Sequence, residues 1–137
     1  MPEVIVLDTH VWLWLVNGNF ESIPNHWLAE IESANQVGVC SISCYEIALA
    51  HSRGRIERPG TTEEWFESAF DPVGVELIPL TSQIASRAVS LSPVHKDPFD
   101  RLIIATTLTY EAVLASADGL IFRYPELVNC IMKRMVE

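Results

Sequence analysis

Apolar positions along the chain fall into two kinds of run that alternate. "EVIVLDT" and "VGVCSIS" are short, continuous and rich in β-branched residues, the pattern of a strand buried on both faces. Elsewhere apolar residues return at three- and four-residue intervals, which marks helices. "VWLWLV" begins the first helix, and "PNHWLAEIESANQ" carries Trp27, Leu28 and Ile31 at helical spacing in the next. "SCYEIALAHSRG" starts at Ser43, sets Glu46 three residues later as a capping box requires, and stops near Gly54. "TTEEWFESAF" reads as a helix, "VELIPL" as a strand, "TSQIASRAVSL" as a helix and "SPVHKDP" as a loop. "FDRLIIATTLTYEA" then makes a long, mostly apolar helix leading into the strand "AVLASAD". Strands alternating with helices in this way predict an α/β layer fold with a mostly parallel sheet. The closing "VNCIMKRMV" fits either a short strand or a terminal helix.

Composition supports a packed core. Of 137 residues, 49% are hydrophobic and 20% charged, which suits one globular domain over residues 1–137. No apolar run approaches the roughly 18 to 20 residues needed to span a bilayer. "MPEVIVLDTHVWLWLV" lacks a basic segment and carries acids, so a cytoplasmic protein without a membrane partner is expected. Cys40, Cys44 and Cys130 leave an odd cysteine after any pairing, and none stands at zinc-ligand spacing. Buried, reduced thiols are the expectation.

Charge alters the picture more. A net charge of -9 with two lysines argues against long basic grooves, because nonspecific nucleic-acid affinity comes mainly from Lys and Arg neutralising phosphates. A polyanionic substrate would need positive charge from elsewhere, and a divalent metal could supply it. The one basic concentration, "HSRGRIERPG", gathers Arg53, Arg55 and Arg58. These are either cations suited to a helix C-terminus or contacts to phosphate. The acids have a clearer geometry. Asp8 ends the first strand and Asp118 follows a late one, at the edge of a parallel sheet where ligands bind. Glu46, in the first turn of a helix that follows a strand, can face the same rim. The helix of Asp100 follows a loop, so spacing alone does not bring Asp100 there.

"VLDTHVWLWL", "SISCYEIALAHSRGRI", "HKDPFDRLIIATTL" and "ASADGLIFRY" occur in the order and kind of a PIN domain, and the chain resembles the VapC-type toxin ribonucleases of toxin-antitoxin pairs. The resemblance spans nearly the whole chain. It implies a three-layer sandwich, a mostly parallel central sheet flanked by helices, and endonucleolytic cleavage of RNA. It also implies an acidic quartet binding Mg2+ or Mn2+, which maps onto Asp8, Glu46, Asp100 and Asp118. Asp8 and Asp100 would be direct ligands, Glu46 a ligand or water-orienting base, and Asp118 would act through water or a second ion. A cognate antitoxin, placing a basic side chain among the carboxylates, and a homodimer held by apolar helix surface are the implied protein partners. The alternative is a noncatalytic PIN-like protein-binding module. The chain departs from the family pattern at Tyr45, where Trp is frequent, at "ATTL" in place of "AQA", and at Ser116 in place of Thr.

Neighbouring residues carry smaller expectations. Thr9 and Ser116 either hydrogen-bond the quartet and its waters or form turns. Asp97 precedes Pro98 and suits an N-cap, its charge used locally, while Asp100 points into the site and Phe99 and Leu102 turn to the core. His10 and His95 lack metal-ligand spacing and are read as structural. Trp12, Trp14, Trp27 and Trp65 are read as core or interface residues rather than base-stacking platforms. Arg53 and Arg55 are the candidate RNA contacts. Two other rim-acid chemistries fail on "LDTH": a phosphoacceptor needs an acidic pair after the first strand, and a haloacid dehalogenase-type phosphatase needs a second Asp at position 10.

Overall fold

The computed structural model describes residues 3–55, 60–70, 74–94 and 96–134. Arg58 and His95 lie outside these residues, as do Met135 and Val136 of the closing segment. Among the described residues, strands β1 (Val4–Leu7), β2 (Gln36–Cys40), β3 (Val75–Ile78) and β4 (Val113–Ala115) form one sheet. Their order is β3-β2-β1-β4 and every pair is parallel. The helices are α1 (Thr9–Asn17), α2 (Asn25–Ser33), α3 (Ile42–Ser52), α4 (Thr62–Ala69), α5 (Ser82–Val89) and α6 (Pro98–Thr109).

The β-branched runs are strands because both faces of the sheet are covered. Ile5, Leu7, Val37 and Val39 pack with Trp12, Trp27, Ile47 and Trp65 on one side. Val6, Cys40, Ile78 and Leu114 pack with Ile103, Ile104, Ile121 and Tyr124 on the other. The result is the expected three-layer α/β sandwich. Three of the four tryptophans are core residues, Trp12 and Trp27 fully buried and Trp65 nearly so. Helix α5 joins through Ile84 and Ala88, which pack on Ala105 of α6.

Capping fixes most helix starts. The Asp8 carboxylate accepts from Val11 N and begins α1 two residues earlier than "VWLWLV" suggested. Thr61 and Glu64 form a capping box at α4, and Asp97 accepts from Phe99 N with Pro98 in the first turn of α6. The box expected at Ser43 and Glu46 is absent. Helix α3 begins at Ile42, so Ser43 is already inside it, buried, with its hydroxyl turned toward Thr9. Strand β3 stops at Ile78, short of the expected Leu80, where Pro79 has no N–H for a ladder.

In the ambiguous C-terminal segment Val128 and Asn129 form a turn, and the described residues after them form no helix. Ile131 makes a parallel bridge to Leu114 of β4, with Leu114 N donating to Cys130 O and Met132 N to Leu114 O, each at 2.8 Å. Beyond it, Lys133 O accepts from Trp27 Nε1 and His26 Nε2, both at 2.7 Å. No helix among the described residues is long and apolar enough to cross a membrane.

Candidate functional site

Parallel register sets the floor of the site. Leu7 is level with Val39 of β2 and Ala115 of β4, so the next residue of each strand emerges at one rim. Asp8 emerges at the centre of that rim, 3% exposed. Its Oδ1 accepts from Val11 N at 2.9 Å, and its Oδ2 accepts from Ser116 Oγ at 2.7 Å and Ala117 N at 2.9 Å. Burial pushes the Asp8 carboxyl above its ordinary range against these three donors.

The pocket above Asp8, about 490 Å³, is lined by Glu46, Asp97, Asp100 and Asp118, and by Thr9, His10, Trp14, Ala117 and Arg134. All four acids of the expected quartet meet there. Glu46 accepts from Thr9 Oγ1 at 2.5 Å, and Thr9 Oγ1 in turn lies 2.9 Å from Ser43 Oγ. Burial raises the Glu46 carboxyl, as do the charges of Asp97 and Asp8, while the Thr9 bond and His10 pull it down. Asp100 is raised as well. Burial, followed by the charges of Asp97, Asp118 and Glu46, pushes it up to about 8, and its side chain hydrogen-bonds Asp118. Ser116 ties two of the acids together, because its hydroxyl donates to Asp8 and accepts from Asp118 N at 3.1 Å. Asp118 Oδ1 itself accepts from Leu120 N at 2.9 Å.

Several readings need correction. The Asp97 charge is not confined to its cap, since Asp97 lines the pocket and raises both Glu46 and Asp100. Phe99 does not enter the core; it is half-buried and tilts against Tyr45, ring centroids 5.8 Å apart. Leu102 is half-buried against the α5–α6 cluster. His10 is exposed at the pocket rather than structural, and Trp14 sits beside it, 6.5 Å between ring centroids. The adjacency in "DTH" was the available signal for His10. Nothing in the sequence pointed to Arg134, which reaches the site only because the last segment pairs with β4. Exposed Arg53 and Arg55 lie outside the acidic pocket, in an adjoining groove of about 450 Å³ that shares Thr9, His10, Glu46 and Asp97 with it.

The carboxylates suit a hard cation, because they offer oxygen donors and their crowded negative charges are costly without compensation. Among the described residues no three carboxylate, imidazole or thiol groups converge closely enough to enclose an ion by themselves.

Residues 5–127 match the family model for the PIN domain. Ribonuclease VapC22 of Mycobacterium tuberculosis is 29% identical over 115 residues, covering 83% of this chain and 86% of that protein. Among solved structures, VapBC2 from Rickettsia felis bound to a DNA fragment from its promoter aligns with a TM-score of 0.72 at 15% identity, covering 94% of this chain and 97% of that one. FitAcB from Neisseria gonorrhoeae aligns with a TM-score of 0.62 at 16% identity over 95% of this chain and 97% of that one. With the match running from the first strand to beyond Asp118, this chain belongs to the PIN domain family.

Proposed function

We propose that the chain is a metal-dependent endoribonuclease acting as the toxin of a toxin-antitoxin pair, with Asp8, Glu46, Asp100 and Asp118 as its catalytic acids. The observation that carries this is the meeting of four carboxylates, contributed by four separate stretches of chain, in one pocket where Asp100 is pushed up to about 8. A cluster that unfavourable to the bare protein is expected where a cation compensates it. The relative named as a ribonuclease supports the same reading.

Asp8 and Asp100 would hold Mg2+ or Mn2+ directly, with Glu46 and Asp118 completing the site through water. When bound, the ion offsets charge on the phosphoryl group and lowers the pKa of a water. The protein's own share is orientation. Three donors fix the Asp8 carboxylate, and Thr9 directs Glu46, whose carboxyl burial raises above its ordinary range and which is placed to orient a water or take its proton. Arg53 and Arg55, along the adjoining groove, are proposed to contact RNA phosphates. A cognate antitoxin would neutralise the site with a basic side chain, and the active form is proposed to be a cytoplasmic homodimer.

The purified protein should cleave RNA with Mg2+ or Mn2+ and lose that activity in EDTA. RNA left intact by pure protein at every metal concentration would favour the noncatalytic binding module instead. Growth arrest on expression of the chain alone, relieved by a co-purifying neighbour gene product, is the expected outcome for a toxin; unrestrained growth would count against it.

A further inference from the structure

Arg134 stands apart from the machinery described above. It is the only lysine or arginine among the described residues that lines the acidic pocket, in a chain with nine such residues in all. Its position is built rather than incidental. Parallel pairing of Ile131 with Leu114 puts residues 134 and 117 three positions further on along both segments, and Arg134 Nη1 donates to Ala117 O at 3.5 Å. The preceding carbonyl, Lys133 O, is held by the indole of fully buried Trp27 and by His26. The backbone leading to Arg134 is therefore pinned to β4 on one side and to α2 on the other. Its side chain is exposed and lines the pocket that holds the carboxylates.

Arg53 and Arg55 occur in the groove that contains Phe99 but neither Asp118 nor Arg134, and Arg134 in the pocket that contains neither Arg53 nor Arg55. Thr9, His10, Glu46 and Asp97 are common to both. The cations thus bracket the shared acids from two ends of one connected surface. A phosphodiester chain brought over five carboxylates meets repulsion that a metal offsets only at its own position, so cations beyond it on each side are where the backbone can be gripped. We propose that Arg134 is a positioning residue that contacts an RNA phosphate on the side of the acids opposite Arg53 and Arg55. The inference rests on RNA being the substrate, as argued above.

Binding separates this role from catalysis. The probe is a short fluorescent single-stranded RNA, titrated by anisotropy in Ca2+, with a gel confirming that it stays intact and salt varied across the series. Relative to wild type, Arg134→Ala should weaken binding at low salt about tenfold and lower the salt slope by about 0.7, the loss of one single-strand phosphate contact. Arg134→Lys should keep the slope and recover most of the affinity. Arg53→Ala should show a similar loss, as expected of a contact at the other end. In cleavage, Arg134→Ala should raise KM far more than it lowers kcat. Unchanged affinity and slope in Arg134→Ala would overturn the proposal, since a residue that only props the Ala117 loop would give that result. Faster cleavage by Arg134→Ala would overturn it too, making the guanidinium an obstruction, and so would a wild-type protein that binds no RNA. Wild-type protein that binds the probe through Arg134 but never cleaves it would sink the nuclease reading and leave this one standing.

Discussion

Asp97 and Asp100 sit one helical turn apart with the same side chain and do different work. Asp97 caps α6 through Phe99 N, and asparagine can do that equally well. Asp100 hydrogen-bonds Asp118, and burial and the charges of Asp97, Asp118 and Glu46 push its carboxyl up to about 8. Asp100→Asn should therefore abolish metal-dependent RNA cleavage without loss of fold, while Asp97→Asn retains most activity even though Asp97 faces the pocket. Asp97→Ala should cost about 0.5–2 kcal/mol of stability through the lost cap. Cleavage by the two Asn variants at matched concentration is the test; equal inactivation would make Asp97 a functional acid, and an active Asp100→Asn would remove the quartet. Ser116 offers a subtler case. Ser116→Ala removes a donor to Asp8 and leaves Asp118 N without its hydroxyl acceptor, so urea unfolding should show a loss of about 1–3 kcal/mol. Ser116→Thr, which keeps the hydroxyl, should recover most of it.

At the scale of elements, what could be read in advance was what local chemistry decides. Buried strands showed as β-branched runs, and Asp97-Pro98 announced the start of α6. The Ser43–Glu46 pattern misled because tertiary pairing overrode it: Thr9 of α1 lies against both side chains, and the helix starts at Ile42 instead. Asp8 and Asp118 could be assigned to the rim because they follow strands, and Glu46 because its helix, which starts at Ile42, follows one. Asp100 could not, since its helix follows a loop and comes to the rim by packing α6 over β1, β2 and β4. Arg134 was out of reach for a related reason, because one parallel bridge at Ile131 decides whether the last residues run toward the site or away from it.

For the molecule as a whole, the crowded acids couple stability to pH and metal. In the unfolded chain these carboxylates titrate near 4, whereas folding raises Asp8, Glu46 and Asp100, the last to about 8. Over that interval the folded state binds more protons than the unfolded state, so stability of the metal-free protein falls as pH rises. A divalent ion competes with those protons for the same oxygens and stabilises the folded state by mass action, more strongly where the protons have left. Melting of the EDTA-treated protein should thus occur at lower temperature near pH 8 than near pH 5.5, and added Mn2+ should raise it more at the higher value. Asp100→Asn should flatten the pH dependence and shrink the response to metal, because a group pushed up to about 8 no longer titrates. A wild-type melting temperature that rises with pH in EDTA, or a metal response as large near pH 5.5 as near pH 8, would mean that the acids are compensated within the protein and do not form a cation site.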